Sequence, residues 1–405
     1  MGVLTSVASA LRRFFSSRSA SFGQADELLA PLSTAGVAVS SETAMRCAAV
    51  HACVRVLADS VASLPLIVYR RTSRGRERAA DSPLYSLLHD APNPEHTSYE
   101  FREFIMVSLL LTGNAYALVE RDRDGTPTAL WPIPPDRVGI EVVNGQLRYH
   151  VMQQDLTTRT IPRSGILHVR GLSRDGIVGM SPIAAAREAI GLALAQEEAA
   201  ARFWRGGAAP RIAILIPGIS DPETWDRWRT AIERHRRGLE GGDRISVFPA
   251  DWKVDKIGIS PQDAEFIESR KFQVLEIARL FRVPPHKLGL VERMSYSSLE
   301  QQSIEFLTDS LLPWLRRIES ALKRDVIPPW ERDLYPEHLV DAIVRGDIKS
   351  RYEAYATARQ WGWMSANEIR ERENLNALAG EAGDTYLVPL NMAPVGAAGG
   401  NNASD

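Results

Sequence analysis

Residues 281–302 read FRVPPHKLGLVERMSYSSLEQQ, and this stretch restricts the fold more than any other in the chain. A strongly helical pattern runs into Pro284-Pro285. Proline lacks an N–H and pushes the residue before it out of helical backbone geometry, so Val283 should be the last residue that the helix reaches. A short basic loop with His286, Lys287 and Arg293 follows. Then Ser297 and Glu300 stand three apart, the spacing of a capping box, and a helix restarts. Residues 284–296 are therefore expected to leave the body of the protein as a loop between two helices.

The helix that ends at the prolines is one of two long rods. The first begins at Ser181-Pro182, with Pro at the first helical position, runs through alanine-rich sequence to Trp204 and stops at Gly206-Gly207. At a rise of about 1.5 Å per residue it should be about 35 Å long. The second begins at Ser260-Pro261, with Asp263 in the first turn. Ile267, Val274, Ala278 and Phe281 recur along it at helical spacing. Between the rods, Arg211 to Ile216, Arg244 to Phe248 and Trp252 to Lys256 read as strands. Asp221-Pro222 caps a helix from Glu223 to Arg237 carrying Trp225, Trp228 and Ile232 on one stripe. A small strand–helix–strand–strand module thus sits between two rods.

The first 180 residues read as α+β, with helices first and an antiparallel meander after them. Ser40 to Ser63 has apolar residues at Val50, Val54, Leu57 and Val61, and a strand at Leu66 to Tyr69 follows. Residues 70–78 are a polar turn with five arginines, open to solvent or to an anion. Helices are expected at 82–89 and 98–111, and strands at 115–121, 128–133, 138–142, 147–152 and 166–170. Asp122 to Gly125 lacks the remaining ligands of a calcium loop and reads as a turn. Beyond the loop, the restarted helix should run to Val326 with a bend at Pro313, closed by Pro328-Pro329. Helices at 337–361 and 365–374 complete the order, and residues 393–405, rich in Gly, Asn and Ala, read as a disordered tail.

Composition narrows the chemistry. A net charge of −2 leaves no bulk positive field for nucleic acid, so any such contact must be local. Apolar runs are too short to cross a bilayer. Cys47 and Cys53 make no disulfide framework, which points to a reducing compartment. Met1 to Gln24 is basic, serine-rich and free of acidic residues; transit-peptide and myristoylation patterns fit it, and a flexible arm fits it better. Gly171 to Gly179 lacks the spacing and the Lys-Ser/Thr of a phosphate loop, and no nucleophile elbow, zincin motif or zinc-spaced cysteine pair occurs. His51 and His168 read as hydrogen-bonded core histidines. Trp204, Trp225, Trp228 and Trp314 read as core or subunit interface. No catalytic residue, metal site or cofactor is expected.

Two long rods bury little by themselves, and identical copies packed side by side around a hole would bury more. The loop at 284–296 would then face the hole. At this point the chain resembles the portal proteins of tailed double-stranded DNA phages, in the branch typical of long-tailed phages. The resemblance extends from about Thr43 to Pro394 and rests on AVHACVRVLADSVASLPLIVYRR, PLYSLLHDAPNPEHTSYEFRE, LLLTGNAYALVERDRDG, GIVGMSPIAAAREAI, FIESRKFQVLEIARLFRVPPHKLG, YSSLEQQSIEFLTDSLLPWLRRIE and GWMSANEIRERENL, in that order.

The resemblance implies an α+β portal fold in a ring, normally of twelve subunits, at one capsid vertex of the virion, assembled in the host bacterial cytoplasm. It divides the chain into a basic arm (1–26), a wing (27–180), stem helices (181–205 and 260–283), a clip between them (206–259), a tunnel loop (284–296), a wing helix (297–328), a crown (329–392) and a tail (393–405). It implies a conduit for packaging and ejection of double-stranded DNA, without sequence preference, and docking of the terminase large subunit, the head–tail adaptor and the major capsid protein. His286, Lys287 and Arg293 are the expected channel residues; Lys287 and Arg293 would otherwise pair with Glu292, Glu300 or a neighbour. Arg229, Arg234, Arg236 and Arg237, with Arg227, are the expected partner-facing residues of the clip, or else a solvated helix face. Three other readings remain: the equivalent portal of a gene-transfer-agent particle, an α+β enzyme with a non-local active site, and a scaffold attached to membrane by residues 1–18.

Overall fold

The Ser40 side chain accepts from Thr43 N at 3.1 Å while Thr43 Oγ1 accepts from Ser40 N at 2.7 Å, and this reciprocal box opens α1 (Ser41–Ala44). The sequence pattern suggests one helix from 40 to 63. In the computed structural model a turn at 45–47 divides it, because Cys47 has extended backbone (φ −71°, ψ 119°) and caps a second helix, α2 (Ala48–Ala62). The residues described are 19–20, 31–73, 75–153, 155–205, 212–216, 221–227, 230, 245–249, 261–290, 302–340, 348–373 and 375–387. They fall into two units, residues 1–339 and 340–405.

In the first unit, α2 buries Val50, Cys53, Val54, Leu57 and Val61. They face α4 (Ser98–Thr112), which buries Phe101, Ile105, Met106 and Leu109. Each of these large side chains contributes about 2 kcal/mol by leaving water. A short helix, α3 (Pro83–His89), precedes α4, and Ser82 caps it.

Three small sheets surround the helices. β1 (Leu66–Thr72) lies between β2 (Gly75–Arg78) and β11 (Leu334–His338). β11 corrects the expectation of a helix from Glu337. Its burial alternates strictly, with Leu334, Pro336 and His338 inward, yet only Leu334 of that inward set is a hydrophobic side chain that periodicity could detect. The arginine-rich turn at 70–78 is a hairpin in which Arg70, Arg71 and Arg76 have partners within the chain. Arg70 meets Asp81 at 3.0 Å, Arg76 meets Glu337, and Arg76 and Arg71 lie over Tyr69 and Tyr335.

β3 (Asn114–Arg121) lies between β4 (Pro127–Ile133) and β8 (Ile166–Arg170). In the β3–β4 turn Asp122 Oδ1 accepts from Asp124 N and Thr126 N at 3.0 and 2.8 Å, an Asx turn. β5 (Val138–Val143), β6 (Gln146–Met152) and β7 (Thr158–Pro162) form the third sheet, and Ser19 and Ala20 pair with Glu141 and Ile140 at its edge. Asn144 and Gly145, with φ of 51° and 77°, close the β5–β6 hairpin. β7 is absent from the sequence reading because its only buried side chain is Ile161.

The first rod is in two pieces. Ser181 caps α5 (Pro182–Ala185), Ala186 leaves helical geometry (φ −100°, ψ 12°), and α6 (Arg187–Arg205) continues. In the intervening module, β9 (Ile212–Ile216) pairs parallel with β10 (Ile245–Pro249). Parallel neighbours need a crossover, which suits a helix between them, and residues 222–227 are helical. The expected strand at 252–256 and most of the helix to Arg237 lie outside the described residues. α7 (Pro261–Phe281) packs on α6 and α2. The helix beyond the loop is described from residue 302. It widens to a π-helical segment at Phe306–Leu311 and then forms α8 (Leu312–Asp325).

The second unit contains α9 (Ile348–Gln360) and α10 (Ala366–Arg372). Ser365 and Glu368 form a capping box at the start of α10. Glu373 ties the two helices, accepting from Arg351 at 2.9 Å and from Tyr355 Oη at 3.0 Å.

Candidate functional site at the helix break

The second rod stops before the prolines reach it. Phe281 is its last residue, and Arg282 takes left-handed backbone with φ 55°. Val283 N–H then reaches back to Ala278 O at 2.9 Å and Arg282 N–H to Arg279 O at 3.1 Å, the two bonds of a Schellman motif. Val283 and Ala278 are both buried and complete its apolar contact. The expected stop at Val283 thus moves back by two residues. Glycine normally occupies such a position, because a Cβ there costs about 1 kcal/mol or more. Arg282 is therefore the strained residue at the base of the loop.

Pro284-Pro285 then do a different job. Pro284 is extended (φ −61°, ψ 138°), and Pro285 opens a single 3-10 turn, Pro285–Leu288, ended by Gly289 at φ 78°. Leu290 N–H bonds Pro285 O at 3.1 Å. The root of the loop is a tight, hydrogen-bonded knuckle. Lys287 is exposed, and its ammonium lies 5.3 Å from the centre of the Phe306 ring. At an exposed site that contact is worth about 0.5–1 kcal/mol. His286 is half-buried, and burial together with the Lys287 charge holds its pKa below the usual imidazole value. His286 is therefore neutral at neutral pH, and Lys287 is the cation at the knuckle.

The returning helix grips the same knuckle. Ser310 Oγ donates to Arg282 O at 2.5 Å. Ser310 lies in the π-helical segment, where Leu312 N–H bonds Leu307 O, one residue further back than in an α-helix. The sequence places a bend at Pro313. The structure shows why the ladder changes earlier: Pro313 has no N–H to give, and the widened turn before it accommodates the missing bond.

The carboxyl end of α8 is anchored to the sheets. The side chain of Asp325 is 2 % exposed and accepts from Arg163, from Arg324 at 2.7 Å and from His168 N at 3.1 Å. Arg121 donates to Asp325 O at 2.7 Å. His168, as read from the sequence, is a hydrogen-bonded core histidine, whereas His51 is exposed on α2. Apart from the adjacent Arg324, nothing in the local sequence marks Asp325, since its other partners come from β3, the turn after β7, and β8. Beside it, Gly113, Gly171 and Gly179 meet closely: Gly171 N–H bonds Gly113 O at 2.8 Å, and a Cβ at Gly179 would stand 1.9 Å from that oxygen. The glycine loop at 171–179 is a packing device.

Of the residues singled out from the sequence, Pro284, Pro285, His286 and Lys287 are brought together at the knuckle. Arg293, Ser297 and Glu300 lie outside the described residues, as do Arg229, Arg234, Arg236 and Arg237. Arg282 and Ser310 were missed. A basic residue just before Val-Pro-Pro carries no signal for left-handed backbone, and the serine is 28 residues away.

Residues 48–374 match the family model described as phage portal protein. The chain is 33% identical over 366 residues to the portal protein of Enterobacteria phage HK97, covering 88% of this chain and 85% of that protein. Among solved structures, a chain from the neck of an empty gene transfer agent (GTA) particle computed with C6 symmetry aligns with TM-score 0.59 and 24% identity, over 80% of this chain and 89% of its own. An HK97-family phage portal protein from Corynebacterium diphtheriae aligns with TM-score 0.53 and 18% identity, over 77% of this chain and 99% of its own. The chain thus has a known fold, and it belongs to the phage portal protein family.

Proposed function

We infer that copies of this portal protein, twelve in number, close into a ring at one capsid vertex, and that double-stranded DNA enters and leaves through its bore. The observation that carries this reading is the second apolar face of α7. Ile277, Ala278 and Phe281 are buried within the chain, while Phe272, Leu275 and Leu280 on the other side are 53%, 38% and 39% exposed. Leu192 on α6 is 41% exposed as well. An apolar stripe on a long helix gains most by packing against a neighbouring copy, and repetition of a head-to-tail contact closes a ring. The neck particle with sixfold symmetry is consistent with twelve copies.

In that ring the knuckle at 284–289 would present Lys287 toward the bore, with Arg293 further along the loop. One or two cations per subunit attract phosphate weakly and without reading sequence, which suits a conduit. The terminase large subunit and then the head–tail adaptor would dock on the clip around Arg229, Arg234, Arg236 and Arg237. The major capsid protein would hold the rim. The chain would perform no catalysis and need no cofactor; ATP hydrolysis would belong to the motor. Assembly in a bacterial cytoplasm and residence in the virion follow from the same reading. No helix among the described residues is long and apolar enough to cross a membrane. The likeness to a GTA neck chain favours one second reading, the same ring in a gene-transfer particle; the genes that neighbour this one would separate the two.

Negative-stain microscopy of the purified protein tests the ring, with poreless particles the opposing outcome. Replacing Lys287 and Arg293 by Ala should leave rings intact and alter packaging or retention of DNA. Normal packaging and retention in that variant would remove the loop from the DNA path.

A further inference from the structure

A second cationic surface runs along α8, from Pro313 to Arg324. The end of β8, the loop after it and α8 enclose an open groove of about 520 Å³. Arg170, Arg316, Arg317 and Arg324 line it, with Ser173 and Ser320. Its charge is unbalanced. Arg316 pairs with Glu319 at 3.0 Å, and Arg324 shares Asp325 with Arg163. Both carboxylates are already drawn inward: Glu319 also accepts from His338 N at 2.9 Å, and Asp325 from His168 N at 3.1 Å. Arg317 donates to Gly171 O at 3.0 Å, and Arg170 donates to Gly176 O. These are neutral acceptors, so five guanidinium groups share two carboxylates. The nearby Asp175 accepts from Ile177 N, Val178 N and Ser173 Oγ of its own loop. Arg170 has its pKa depressed by burial and by the Arg324 and Arg163 charges, as expected where cations crowd.

We propose that this groove binds the phosphodiester backbone of double-stranded DNA, as a contact separate from the tunnel loop. The proposal rests on the portal reading. The lining is arginine, serine and glycine backbone, the set that holds phosphate oxygens. Protein partners anchor on aromatic side chains as well as arginine, and here no tryptophan or tyrosine lines the groove and its apolar lining is only Pro313 and Ala321. Arginine also forks onto phosphate bidentately.

The test is fluorescence anisotropy of assembled full-length rings with a labelled mixed-sequence 30-bp duplex, at steps of NaCl concentration. Arg170→Gln with Arg317→Gln should flatten the slope of log K against log salt by about 2, since each lost phosphate contact removes about 0.9. Arg317→Lys should keep its share of the slope, and Arg123→Gln, an exposed control outside the groove, should leave the slope unchanged. If the double variant misfolds, Ser320→Glu decides, because it adds a carboxylate to the groove without removing an arginine and should weaken duplex binding. An unchanged slope in a folded double variant, or unchanged duplex binding in Ser320→Glu, would overturn the proposal. So would loss of binding to an oligoglutamate peptide with the duplex slope intact, which would make the occupant an acidic protein segment. Microscopy of the same samples separates the two readings: rings with an unchanged slope reject the groove alone, while poreless particles reject the portal assembly itself.

Discussion

His168 Nε2 donates its proton to Asn114 Oδ1 at 3.1 Å. The donor is fixed by the amide, because the same oxygen accepts from Gly179 N at 2.7 Å while Asn114 Nδ2 donates to Gly179 O at 3.0 Å. His168 Nδ1 must then accept, and Tyr149 Oη, 3.1 Å away, supplies its proton. The ring is fully buried and neutral, its pKa pushed well below the usual value first by burial and then by Arg170, Arg163 and Arg324.

His168 and His338 therefore make stability decline as the pH is lowered. Both have folded-state pKa values below the unfolded value, His338 chiefly by burial, and its Nε2 is buried without a partner among the described residues. The unfolded chain thus binds more protons between the folded value and about 6.5, so stability is full above that pH and declines below it. Chemical denaturation at pH 7.5 and 5.5 should show a lower midpoint at the acid end. His168→Gln, which keeps one donor and one acceptor, should reduce that difference.

Gly179→Ala should destabilise by about 3 kcal/mol, the upper range for overpacking. The new methyl would meet the backbone of Gly113, whose carbonyl already accepts from Gly171 N–H. Gly176→Ala is the contrast: φ is 73° but nothing lies within 4 Å, so only the backbone penalty of about 1 kcal/mol applies. Thermal melts of the two variants should separate clearly.

At the knuckle, Arg282→Gly should stabilise by about 1 kcal/mol by relieving left-handed strain. Ser310→Ala should cost about 1 kcal/mol by removing its bond to Arg282 O. Equilibrium unfolding of both variants measures the pair, and the opposite signs identify strain and grip as separate contributions.

Phe272→Asp should leave a folded chain that no longer assembles, read by size-exclusion chromatography with light scattering. Phe281→Asp should instead unfold the chain, because Phe281 is 5 % exposed while Phe272 is 53 % exposed. The two phenylalanines share one helix, so composition and helix propensity change equally in the two variants.

Elements with a local signal were legible in the residues. The Asn144-Gly145 hairpin, the Ser181-Pro182 cap, the apolar stripe of α2 and the end of the second rod to within two residues each depend on neighbours a few positions away, where proline, glycine and capping chemistry act directly. The parallel pair of β9 and β10 was foreshadowed by a strand, a helix and a strand in that order. β11 was misread because its place is set by β1, to which Leu334 pairs at Arg70. Arg282 was invisible for the same reason, since its backbone is held by Ser310.

The order of rods, module and loop belongs to the sequence alone, because period and turn chemistry are short-range. Where α8 is anchored, which histidines are neutral, and how five arginines come to share two carboxylates were decided only by tertiary structure. Burial and charge pairing join residues far apart in the chain, and no spacing along it records them.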